Sequence, residues 1–198
     1  MVKFKKQLSF TTKEIALISI FSSLWIVSQI YLGPVISQIT HVHGVIQRLM
    51  GWLLMLTLAQ LSEGFGRVSA MSAIAAWATR IVRRSASLYT ITVGIGYTLG
   101  GVAFDLLFFL PIINKFKGKT RKAYLLFASI LSGVIAIIPY LLYKLYFLGF
   151  YGFIAWIPVY IPSAATSLIL SFLGTLIGLY ITPQIKVLSI GKEYTKNR

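Results

Sequence analysis

The sequence predicts an all-α polytopic membrane protein, with six transmembrane helices in one bundle and both termini in the cytoplasm. Three observations carry this expectation. Apolar stretches fill most of the 198 residues, of which 57% are hydrophobic and only 12% charged. These stretches lie near the ~20 residues that an α-helix needs to cross ~30 Å of hydrocarbon. The Lys and Arg residues between them fall almost entirely on alternate connections, so the positive-inside rule places the N-terminus in the cytoplasm. All but five of the 19 basic residues are then inside, the five being Arg48, Arg80, Arg83, Arg84 and Lys144.

The first stretch, 12–32, opens with Thr11-Thr12-Lys13-Glu14. This is a capping box: the Thr11 hydroxyl accepts a first-turn amide and Glu14 reaches back. The basic start MVKFKK has the look of a signal-peptide n-region. The apolar run behind it exceeds an h-region and lacks a small-residue cleavage site, so a retained helix is expected. Gly33-Pro34 is expected to end that helix, because proline disfavours helical backbone in the residue before it. The connection 33–43 carries His41 and His43 and leads into a second helix at 44–62.

The third helix, 66–82, is short, with Ser69, Ser72, Ala73 and Ala76 along one face. Small residues so spaced let another backbone approach closely, which is how helices associate in lipid. Similar stripes recur at Gly96/Gly100, at Ala128/Ser132/Ala136 and at Ser167/Ser171 with Gly174/Gly178. They lie on a fourth helix at 88–113, a fifth at 123–147 and a sixth at 153–183, the basic loop Asn114 to Lys122 separating the fourth from the fifth. Pro111, Pro139, Pro158, Pro162 and Pro183 are expected to end or kink helices, which a bundle tolerates where neighbours satisfy the freed carbonyls. Residues 1–198 make one domain, with no length left for a soluble one.

Charge and motifs narrow the function. The net charge of +15 would suggest nucleic acid in a soluble protein. Here the bases sit at helix ends facing anionic lipid, so the bilayer is the expected partner and nucleic acid is not. There is no cysteine, which removes disulfides, thiolate metal sites and cysteine nucleophiles. Gly118-Lys119-Thr120 imitates the end of a P-loop, but position 113 is Ile where the first glycine belongs. Gly94-Ile95-Gly96 lacks the third glycine of a dinucleotide fingerprint. Metalloprotease and esterase signatures are missing too. The four acids Glu14, Glu63, Asp105 and Glu193 map to the cytoplasmic half, leaving an outer cavity without a general base. Asp105 is expected to pair with Arg67 or another inner base, and Glu63 to play a similar structural part.

A constellation remains in the outer half, found by counting ~1.5 Å per residue inward from each outer helix end. Helix by helix it comprises Trp25 and Gln29; Gln47, Arg48 and Trp52; Trp77 and Arg80; Tyr89 and Tyr97; Trp156 and Tyr160; with His41 and His43 on the first outer loop. Aromatic walls carrying a few polar groups suit a flat heterocyclic ligand. Tyr89 and Trp156 also fit an interfacial aromatic belt, and Arg83 and Arg84 are expected to snorkel to headgroups. Arg48 and Arg80 lie inside the boundary, where a charge faces protein or a water-filled cavity. His41 and His43 would point opposite ways on a strand and lack a third ligand, so no metal is expected.

KEIALISIFSSLWIVSQIYLGP in the first helix and GYTLGGVAFDLLFF in the fourth resemble the substrate-capture (S) components of energy-coupling factor (ECF) vitamin importers, in particular the hydroxymethylpyrimidine/thiamine-type members. The resemblance extends to length, helix number, cytoplasmic termini and the basic loop before the fifth helix. It implies a cell-membrane ABC-transport subunit that captures a vitamin or precursor from outside and needs no cofactor, ATP being used only by partner subunits. It also implies docking on a transmembrane coupling subunit through small residues of the first helix. The matching positions are Ala16, Ser19 and Ser23, where Ser19-x-x-x-Ser23 replaces the family's alanine pair. Cobalt- and nickel-type members carry histidine directly after the initiator Met, where this chain has Val2. Two other classes stay open: an intramembrane enzyme on lipid or isoprenoid, using Glu63, Asp105 and Arg67, and a scaffold subunit with no small-molecule ligand.

Overall fold

The computed structural model describes residues 10–41, 44–62, 64–84, 87–110, 113 and 116–196, with side chains of the last segment described to 185. His43, expected at the site, Glu63, expected to play a structural part, Pro111, expected to end or kink a helix, and the charged side chains of both chain ends, expected to orient the bundle, lie outside the described residues. No strand occurs among the described residues.

Helix α1 (Thr12–Thr40) starts with the expected capping box. The Glu14 amide donates to Thr11 Oγ1 at 3.2 Å, and the Thr11 amide donates to Glu14 Oε2 at 2.9 Å. The expected stop at Gly33-Pro34 does not occur. Ser28–Leu32 forms a π-turn in which the Gly33 amide donates five residues back, to the Ser28 carbonyl. The wider turn makes room for the proline ring, and Pro34 sits in the first turn of the resumed helix, where its missing N–H is not needed. The helix therefore runs through most of the expected connection, ending at His41 in left-handed geometry (φ 55°).

Helix α2 (Val45–Leu61) follows Gly44 at φ 77°, a backbone geometry that suits glycine. Helix α3 (Arg67–Val82) and helix α4 (Leu88–Phe109) come next, α4 stopping short of the expected residue 113. The run Gly118–Lys196 leaves helical geometry at Gly149 (φ 65°, ψ 175°), dividing it into α5 (118–148) and α6 (150–196). The chain reverses there. The Tyr140 ring meets those of Trp156 and Tyr160 at centroid distances of 5.8 and 5.3 Å. Pro139, Pro158, Pro162 and Pro183 all lie inside these helices rather than at their ends. Helix α1, helix α4 and the stretch Gly118–Ile185 are long and apolar enough to cross a membrane, while α2 is apolar but shorter. The chain is thus an all-helical membrane protein. Large apolar side chains such as Ile39, Ile81, Tyr151 and Val159 face outward.

Small residues bring the helices together, and the stripes have specific partners. A Cβ at Gly100 would lie 2.9 Å from the Ala136 Cβ, and one at Gly96 would strike the Ala136 carbonyl. Gly174 and Gly178 of α6 lie against the backbone of α2 at Leu49 and Leu53. Helix α2 is consequently the buried centre, with Trp52 and the run Leu54 to Ala59 inside.

At the end of the bundle where α1 and α3 begin, the expected pairing of Asp105 with Arg67 is replaced by two separate contacts. Arg67 pairs with Glu14 at 3.0 Å. Asp105 Oδ2 instead accepts from the Ser69 amide at 2.9 Å and the Ser69 hydroxyl at 2.7 Å. Gly66 has no side chain with which to cap α3, and Asp105 supplies that acceptor from α4. A carboxylate is favourable there because first-turn amides are unpaired and carry the positive end of the helix dipole.

Candidate functional site

A cavity of about 840 Å³ occupies the other end of the bundle. All of α1 to α6 reach it: the C-terminal parts of α1 and α3, the N-terminal parts of α2 and α4, residues 133–140 of α5 and residues 156–171 of α6.

Its floor is built on Trp25. The indole is fully buried, donates to the Gln47 carbonyl at 3.1 Å and meets the Tyr97 ring edge-on at 5.7 Å. Only glycine fits beneath it, since a Cβ at Gly51 would lie 2.5 Å from the indole. Trp25 thus shapes the cavity without lining it. Trp52 does line it and is braced edge-on against Phe104 at 6.0 Å. The opposite wall is a cluster of Tyr140, Trp156 and Tyr160, the last two stacked at 4.7 Å. Tyr89 joins through Tyr140 at 5.7 Å. Lys144 Nζ lies over Tyr140 and Trp156 at 5.8 and 5.4 Å, where an ammonium is attracted by the ring faces.

Three arginines supply the charge. Arg80 donates from Nε to the Thr90 carbonyl and from Nη1 to the Ala76 carbonyl. Gly94 allows this, for a Cβ there would lie 2.8 Å from Arg80 Nε. Arg83 donates to the carbonyl of Gln29, within the π-turn. Arg48 lies beside the Tyr97 hydroxyl. No carboxylate lines the cavity among the described residues. The Gln29 side chain also lines it, and its amide nitrogen is buried with no hydrogen-bond partner. The π-turn places that side chain inward, in keeping with the frequent occurrence of such turns at functional sites.

Of the residues proposed from sequence, the cavity brings together Gln29, His41, Gln47, Arg48, Trp52, Arg80, Tyr97, Trp156 and Tyr160. Trp25 lies behind them. Trp77 is 38% exposed on an outward face of α3 and does not line the cavity. Tyr89, placed in the outer constellation and also compatible with a belt, lines the cavity, as does Arg83, for which only headgroup contact was expected. Tyr140, Ser163, Ser167 and Ser171 were not anticipated as lining residues. The serines had a readable signal: a spacing of four in an apolar helix puts them on one face. Tyr140 had none, because its position depends on where the chain reverses.

Ala16, Ser19 and Ser23 are exposed on α1. A shallow depression of about 370 Å³ is lined there by Ser19, Ile20, Ser23, Leu24 and Val27.

The fold and cavity define a class: an all-helical membrane protein holding a solute-sized aromatic and cationic cavity at one end. Comparison with protein-family models, with curated proteins and with solved structures finds no match.

Proposed function

We propose that this protein is a solute-capture subunit of the ECF type, in the cell membrane with six spans and both termini in the cytoplasm. It binds a vitamin-like aromatic solute from outside and passes it inward when ATP-hydrolysing partners reorient it. The observation that carries this reading is the cavity itself, a volume of about 840 Å³ to which every helix contributes, within the range of small-molecule sites. The alternating helix directions support the topology, since they gather the cavity at one end and the Glu14–Arg67 pair at the other. The exposed face around Ser19 and Ser23, free of bulky side chains at those positions, is where a coupling subunit would dock.

The test is to purify the protein in detergent and identify co-purifying small molecules by mass spectrometry. A stoichiometric aromatic solute is the expected result. An empty protein that shows no thermal shift across a vitamin panel overturns the reading. Topology is tested separately on the natural cysteine-free background. His41→Cys should react with an impermeant maleimide on intact cells, and Lys117→Cys only after permeabilisation.

A further inference from the structure

We propose that the cavity takes an anionic aromatic solute, a carboxylate or phosphate carried on a flat ring, and rejects cations. This rests on the solute-capture reading and narrows it. Arg48, Arg80 and Arg83 all line the cavity, and no Asp or Glu does among the described residues. The chain has only four acids. The two whose side chains are described are engaged at the opposite end of the bundle, Glu14 on Arg67 and Asp105 on Ser69.

Charge at membrane depth is costly unless it is paired or hydrated. A lysine can relieve that cost by losing its proton, but a guanidinium stays charged. Backbone carbonyls and cavity water meet part of that cost, and an anionic group carried by the solute would meet the rest. The bonds of Arg80 and Arg83 to the carbonyls of Thr90, Ala76 and Gln29 hold the guanidiniums in place. They use fewer N–H groups than a guanidinium carries, leaving donors for a planar carboxylate or a phosphate.

Among the lining side chains the guanidiniums and the main aromatic cluster stand on different helices, with the Lys144 ammonium over the cluster but outside the lining. The arginines stand on α2 and α3, while Tyr140, Trp156 and Tyr160 form an aromatic wall on α5 and α6. A ligand that satisfies both has an anionic group at one edge and a ring at the other. A permanently cationic solute such as thiamine would meet three like charges.

The test uses protein in phosphatidylcholine nanodiscs, titrated calorimetrically with three probes on one ring system: 2-naphthoate, 2-naphthamide and 2-naphthylmethylammonium. Naphthoate is expected to bind at least about tenfold more tightly than the amide, as charge-assisted bonds imply, and the ammonium to bind worst. Arg48→Gln and Arg83→Gln should each lower the naphthoate-over-naphthamide ratio severalfold, whereas Trp77→Ala, outside the cavity, should leave both affinities and their ratio unchanged. Preference for the amide or the ammonium overturns this inference and leaves solute capture standing. Binding of none of the three overturns this inference, and solute capture is then decided by the co-purification test. A second arm adds phosphatidylglycerol and uses native mass spectrometry. Retention of that lipid, displaced by naphthoate, would keep the anion site but assign it to a headgroup and overturn the aromatic-solute part. Its absence supports a soluble anion.

Discussion

Arg67 grips Glu14 with two parallel bonds, Nε to Oε1 at 3.0 Å and Nη2 to Oε2 at 3.1 Å, tying the start of α1 to the start of α3. Both side chains are buried, at 2% and 8% exposure. Removing one partner of a buried pair leaves an uncompensated charge, so Glu14→Gln should destabilise the fold by roughly 3–5 kcal/mol. Thermal melts in detergent check this. The double variant Glu14→Gln with Arg67→Met should recover much of the loss, whereas further destabilisation would mean that the guanidinium's other contacts matter more. Those contacts include the Phe65 carbonyl and the Phe10 ring.

Asp105→Ala should cost about 1–2 kcal/mol, the usual value of a helix cap, and should leave solute affinity unchanged. The carboxylate serves Ser69, about 12 Å below Tyr97 along α4 by helical rise. Hydrogen exchange localised to the first turn of α3 is the discriminating measurement. A loss of binding without a loss of stability would instead place Asp105 in the solute path.

Gly174→Ala should destabilise by about 1–3 kcal/mol, because the added methyl meets the Leu49 backbone carbonyl, which cannot yield. Gly133→Ala should cost less than about 1 kcal/mol, since its nearest neighbour is the Ser171 hydroxyl at 3.3 Å, which can rotate away. Equal effects in denaturation would show that helix propensity rather than contact sets the outcome.

The tryptophans separate by position. With whatever solute co-purifies, Trp52→Ala should weaken binding roughly ten- to hundredfold by removing a wall. Trp77→Ala, outside the cavity, should leave affinity unchanged. Trp25→Phe should act in between, losing the bond to the Gln47 carbonyl but keeping a ring under Tyr97. Calorimetry on the three variants checks the order, and indifference to Trp52→Ala and Arg48→Ala would mean that the solute sits elsewhere.

The all-helical membrane class was legible because it depends on composition and run length: a segment that must satisfy every backbone group in lipid has to be a helix. The capping box at Thr11 and Glu14 was equally local. Depth along each helix also follows from counting residues, which is why Gln29, Arg48, Trp52, Arg80 and Tyr97 could be grouped from sequence alone. Helical phase was less secure. Trp77 lies close in sequence to Arg80 yet points outward, and Arg83 donates to the Gln29 carbonyl across helices, a contact that no local pattern announces.

What only the tertiary structure decided are the relations between helices. Glycine and serine stripes announce close approach without naming a partner, because small residues fit any small face; their pairing followed from which helices became neighbours. Pro34 reads as a stop by local sterics, yet a π-turn carried α1 past it to Thr40. Arg67 could have met either acid near it, and packing set it on Glu14 while Asp105 capped α3. Single-helix properties are set by neighbours in sequence and can be read from it. The charge balance of the cavity depends on groups brought together across the whole chain, and so appears only once the helices are assembled.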